Sequence, residues 1–139
     1  EANSRGVLSG ITRDTNRKEI VRATIEAVAY QTQDLFEAMK HDGLRPKIVK
    51  VDGGMVMNNW FSQFLSDVVN VKVLRPKVQE TTALGAAFMA GLHIGVYKSL
   101  KDISRNWHVD KKFSPKMSKQ LRSSLLKGWI KAIKRTLIN

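Results

Sequence analysis

The sequence contains no cysteine. It can therefore form no disulfide and no thiolate metal site, a lack that favours a reducing, cytoplasmic setting. Long apolar runs are missing too. The longest, Ala83 to Leu92, falls far short of the roughly 20 residues that cross a bilayer, so no membrane partner is expected. The opening residues, EANSRG from Glu1 to Gly6, lack the apolar centre of a secretory leader. They also lack an initiator methionine and read as the start of a piece of a longer chain. Histidines number three, His41, His93 and His108; they have no ligand spacing, so no metal site is expected. No serine stands in a nucleophile-elbow context, and no complete catalytic constellation is present.

Acids are scarce as well: 12 Asp and Glu stand against 24 Lys and Arg, a formal net charge of +12. Such a balance attracts nucleic acid or anionic surfaces. The excess is not spread evenly. Nine basic residues and no acid follow from Lys111 onward, ending with Lys131, Lys134 and Arg135. A lysine-rich solvated helix accounts for that pattern at least as well as a nucleic-acid-binding surface, which is the lesser reading.

What is present is an alternation of helix and strand signals in 139 residues, the size of one domain. The segment from Gly6 to Ile11 reads as a short strand or extended stretch. Asn16, with Glu19 three residues on, forms a capping-box signature. Val21, Ile25, Val28, Leu35 and Met39 then recur at helical steps and predict one buried face. Gly43 and Pro46 end that helix. Lys47 to Val51 reads as a strand. A second helix follows, with Phe61, Phe64, Leu65 and Val68 as its stripe and Asn70 at its end. Val71 to Leu74 reads as a second strand, stopped by Pro76. Thr81 or Thr82 is placed to cap a third helix that ends near Gly95, and its small residues predict tight packing on a sheet. The stretch from there to Pro115 reads as loose. A final helix, about 116–137, carries Leu121, Leu125, Trp129, Ile133 and Leu137 at four-residue steps. Helix, strand, helix, strand, helix with short links implies an α/β arrangement of parallel strands. Three short strands at most make a thin sheet for such a domain, as in part of a larger one.

The stretch VDGGMVMNNW, Val51 to Trp60, is the candidate site. In open α/β sheets ligands bind beyond the carboxyl ends of strands, where helix N-termini offer free N–H groups. Gly53 and Gly54 can take positive φ and let a ligand lie against the main chain. Asn58 can cap its own helix or turn its amide to that ligand. A plain strand-to-helix turn with an asparagine cap fits the local pattern equally well. Asp52, at the strand end, has a carboxylate suited to a metal or a proton, yet more often such a residue stabilises a turn.

Three stretches together resemble the FGGY carbohydrate kinases. GVLSGITRDTNRKEIVRATIE (Gly6 to Glu26) is similar to that family's second signature, VDGGMVMNN to its adenosine-binding element, and RPKVQETTALGAAFMAG (Arg75 to Gly91) to the helix after the last strand of its ATP-binding core. The paired asparagines, EAVAYQT, QFLSD and ETTALGAA are most similar to the members that phosphorylate glycerol. Pentulose-phosphorylating members more usually carry a third glycine and a serine at Asp52 and Asn58. The resemblance implies a ribonuclease-H-like, actin-like ATPase domain, of which residues 1–139 would be the last part of the C-terminal, ATP-binding domain. It implies ATP and Mg²⁺ as cofactors, glycerol as a substrate, a missing N-terminal portion and a homo-oligomeric whole. Gly53, Gly54 and Asn58 are then the nucleotide contacts. The catalytic aspartate, the polyol pocket, the magnesium ligands and the main phosphate loops are implied to lie upstream, so no catalytic residue is assigned here. Met55 and Met57 stand where smaller residues are usual. Methionine is adaptable and can line an adenine slot or narrow it.

Overall fold

The computed structural model describes residues 5–137 of the chain; part of the opening stretch read as no leader lies outside the described residues. Helix α1 spans Arg17–His41. Asn16 Oδ1 accepts from Lys18 N–H at 2.9 Å, and Asn16 N–H donates to Glu19 Oε2 at 3.1 Å. That reciprocal pair satisfies two of the free donors of the first turn. The buried face of α1 is rotated from the predicted one. Ala29, Tyr30 and Gln33 are buried, with Ile25, Val28 and Phe36 packed beside them, while Val21 and Leu35 face outward. Gly43 (φ 82°) then turns the chain.

Strand β1 (Ile48–Lys50) pairs in parallel with β2 (Lys72–Pro76), and β2 pairs antiparallel with β3 (Val109–Phe113). The sheet is thus mixed, in the order β1-β2-β3. Pro76 does not stop β2 ahead of itself. It closes the strand inside a register shift at Arg75/Pro76, where a residue lacking an N–H does least harm to the ladder. The stretch read as loose holds two elements, the short helix α4 (Leu100–Ser104) and β3. Residues 6–11, read as strand or extended, form no strand.

Helix α2 (Asn59–Val69) is the centre of the molecule: Phe61, Phe64, Leu65, Val68 and Val69 are buried, as are Ser62 and Ser66. The two serines are satisfied by carbonyls, Ser62 Oγ donating to Val56 O and Ser66 Oγ to Val71 O, both at 2.8 Å. Asn70 (φ 56°) ends the helix in the left-handed region, as asparagine does readily. The Phe64 ring meets Tyr30 edge-on at 5.6 Å and stacks on Trp60 at 5.1 Å.

Helix α3 (Thr81–His93) departs from expectation. Neither threonine caps it; Glu80 precedes it without a side-chain cap. Only Gly91 is buried among its residues, so the helix does not lie tightly on the sheet. Gly91 instead makes room for a ring: a Cβ there would sit 2.8 Å from Tyr97. Helix α5 (Lys119–Thr136), capped by Ser118, packs through Leu125, Leu126 and Trp129, while Leu121 and Leu137 face outward. Trp129 stacks on Tyr30 at 5.4 Å and donates to Asp34 Oδ2 at 2.7 Å. No helix among the described residues is long and apolar enough to cross a membrane.

Candidate functional site

β1 hands over to the glycine pair through Val51, whose N–H still donates to Leu74 O at 3.1 Å. Gly53 then takes φ 88°, ψ 171°, a combination essentially closed to residues with a side chain. Residues Gly54–Met57 form one turn of 3₁₀-helix, and Asn58 N–H closes it on Met55 O at 3.1 Å. Asn58 is also the cap of α2: its Oδ1 accepts from Trp60 N–H at 3.0 Å and Phe61 N–H at 3.2 Å. The three predicted contacts therefore flank a single turn, with the glycines at its start and Asn58 at its end.

The inner side of this turn is fastened. Val56 is buried, and its carbonyl accepts from both Ser62 Oγ at 2.8 Å and Arg75 Nη1 at 2.9 Å. The same Arg75 nitrogen reaches Met57 O and Asn59 Oδ1, each at 3.2 Å. The other edge of the guanidinium grips Asp110 of β3: Nε and Nη2 lie 2.8 and 2.7 Å from its Oδ2. Unsatisfied buried carbonyls are costly, so these contacts explain why an arginine can be buried in the middle of a sheet. The paired asparagines divide their work. Asn58 holds α2, and Asn59 holds Arg75.

The outer side of the turn is open. Gly53, Gly54, Met55, Met57 and Asn58 are all exposed. A Cβ built on Gly53 or Gly54 would meet nothing within 4 Å. The Asn58 amide nitrogen makes no hydrogen bond to the described residues. Bare peptide is thus presented over a platform rather than inside a cleft. Two hollows in the surface lie elsewhere. One, of about 340 Å³, is lined by residues such as Phe36, Lys40, Arg45, Asn70 and Arg122. The other, of about 30 Å³, lies among Pro76, Thr81, Trp107 and His108. A ligand on the platform would need a second wall from another part of the protein. Asp52 is exposed beside Gly53. Among the described residues no three His, Asp or Glu side chains gather as metal ligands do.

Arg75, Asp110 and Ser62 are the site residues that sequence reasoning passed over. A signal existed: Arg75 follows the apolar pair Val73–Leu74 inside a strand, and Asp110 is an isolated acid next to the Lys-rich tail.

Residues 1–94 match the sequence model of the C-terminal domain of the FGGY family of carbohydrate kinases. The chain is 50% identical over 135 residues to glycerol kinase 1 of Pseudomonas aeruginosa, covering 97% of this chain and 27% of the relative. It is 51% identical over 136 residues to glycerol kinase of Ectopseudomonas mendocina, covering 97% and 28%. The chain thus spans little more than a quarter of these relatives' length. Among solved structures, Plasmodium falciparum glycerol kinase with ADP superposes with a TM-score of 0.84 at 36% identity, covering 99% of this chain and 28% of that one.

Proposed function

The chain belongs to the FGGY family of carbohydrate kinases, and from that membership we propose that it is the C-terminal part of an ATP-dependent glycerol kinase, which moves the γ-phosphoryl group of ATP to glycerol and yields sn-glycerol 3-phosphate. In this reading the segment supplies the adenosine end of the ATP site. The nucleoside lies on the main chain of Gly53 and Gly54, and the Asn58 amide nitrogen points a donor at the purine. The observation that carries the reading is the open peptide face at the two glycines, where an added Cβ would meet nothing within 4 Å, on a turn whose back is held by Ser62 and Arg75. An aromatic base and ribose need such a flat, unobstructed floor. The platform's want of a second wall fits a site completed by another part of a longer protein.

Phosphoryl transfer depends on positioning and on neutralising charge around the γ-phosphate. This chain's residues contribute the first of these, by holding the nucleoside while the donor phosphates extend elsewhere. Mg²⁺ belongs to the proposed reaction, and its ligands are proposed to lie upstream of this segment. The whole enzyme is proposed to be a cytoplasmic homo-oligomer.

The test is a chimera. This chain would replace the matching quarter of the Pseudomonas aeruginosa relative, and ADP release would be followed with and without glycerol. Glycerol-dependent turnover is the expected result, with none from the isolated chain. A folded chimera that shows no glycerol-dependent ADP release would contradict the proposal.

A further inference from the structure

Arg75 hydrogen-bonds to the glycine turn, the start of α2 and β3 together. Its side chain is 8% exposed, yet it lies behind the platform and not on it. Nη1 contacts Val56 O, Met57 O and Asn59 Oδ1 on one side; Nε and Nη2 contact Asp110 Oδ2 on the other. The guanidinium also lies 5.7 Å from the centroid of the Phe113 ring. We propose that Arg75, oriented by Asp110, is the positioning residue that sets the height and tilt of the Gly53–Gly54 platform, and that β3 is thereby the element to which the nucleotide floor is keyed. This rests on the platform reading given above.

A guanidinium reaches both sides at once: Nη1 shares its two N–H groups among three acceptors, while Nε and Nη2 converge on one carboxylate oxygen, and an ammonium at the end of a flexible stem does not span the two. Ser62 Oγ still holds Val56 O when Arg75 is changed, so the turn should loosen rather than unfold. Met57 O and Asn59 Oδ1 have no such second donor among the described residues. The end of the turn nearest Asn58 should therefore move most, and with it the amide aimed at the ligand.

The experiment uses the whole chain in four forms: unaltered, Arg75→Lys, Asp110→Asn, and Leu125→Ala as a control on the remote α5 contact. Amide hydrogen exchange of residues 54–58 is measured in the chain without ligand, and ADP affinity is measured by titration of each form carried in the Pseudomonas aeruginosa chimera described above, which supplies the second wall. Arg75→Lys should speed exchange in the turn by at least ~10-fold relative to the middle of α2 and weaken ADP binding by about 10-fold, the loss expected when a fork of charge-assisted hydrogen bonds is broken. Asp110→Asn should do the same in smaller degree, and the control should change neither. Unaltered turn exchange in both variants would overturn the anchor. A loosened turn with unaltered ADP affinity would overturn its positioning role. If the unaltered chimera binds no ADP, the platform reading fails, while the exchange data still decide whether Arg75 sets the turn. Should Arg75→Lys not fold, Asp110→Asn carries the same test.

Discussion

Substituting alanine at the two glycines, one at a time, should have opposite effects on stability and the same effect on binding. Gly53 holds φ 88°, ψ 171°, where a Cβ costs about 1–3 kcal/mol in backbone strain. No neighbour lies within 4 Å of that Cβ, so no steric clash adds to the strain. The expected loss is a factor of roughly 5 to 150 in the ratio of folded to unfolded chain. Gly54 has no left-handed φ and opens a 3₁₀ turn, again with nothing within 4 Å. Alanine fits there, and by restricting the unfolded chain should stabilise by about 0.4–1 kcal/mol. Urea unfolding reads the difference. With a slope near ~2 kcal/mol/M, Gly53→Ala should lower the midpoint by roughly 0.5–1.5 M and Gly54→Ala should raise it slightly. Both variants put a methyl group on the platform, so both should lose ADP affinity, the more stable one included. If Gly54→Ala destabilised as much as Gly53→Ala, the space over Gly54 would not be open. If it kept full ADP affinity, that space would not be where the nucleoside lies.

Asn58→Asp should keep the α2 cap, since aspartate caps as well as asparagine, whereas Asn58→Ala should cost about 1 kcal/mol; only the first variant separates folding from a charge beside the purine. Equal ADP affinity for the unaltered chain and the Asn58→Asp variant would contradict the placement. The Tyr30 hydroxyl is pushed up to about 12, first by burial, then by the charge of Glu26 and the hydrogen bond to it, with Arg22 partly opposing. An unfolded tyrosine titrates near ~10. The stability this group contributes is therefore intact below about pH 10 and is lost as pH rises towards about 12. Phenolate absorbance should reveal one late tyrosine in the folded chain, and both tyrosines titrating together with a midpoint near ~10 would contradict it. Phe64→Ala, which removes a buried ring set between Tyr30 and Trp60, should cost about 3–5 kcal/mol. A thermal midpoint close to that of the unaltered chain would show that the aromatic cluster does not hold α1 to α2.

Local signals in the sequence are reliable where the structure they describe is local. The Asn16/Glu19 capping box and the Asn70 helix end rest on contacts within a few residues, and the Phe61–Val68 stripe on the period of one helix; each appears as expected. The glycine pair and Asn58 are legible as a turn because strand end, glycines and cap follow one another along the chain. Long-range choices are not legible. The α1 face turns towards Ala29 and Tyr30 because Phe64 and Trp129, from two other helices, close on Tyr30. β3 hides in VDKKF, whose lysines look like loop until Arg75 and Val73 of β2 pair with it. Alanines and glycines in α3 permit close packing but do not compel it, and the described residues offer that helix little to pack on. Arg75 escapes notice for the same reason, since its partners lie 16 to 35 residues away.

The most direct test of the central claim is a set of intermolecular nuclear Overhauser contacts between isotope-labelled chain and millimolar ADP. Cross-peaks from the purine and ribose protons to the α-protons of Gly53 and Gly54, and to the Asn58 side-chain amide, are what a nucleoside resting on that peptide face requires. Contacts confined to the 340 Å³ hollow beside Arg122, or none at the glycines at saturating ADP, would contradict it.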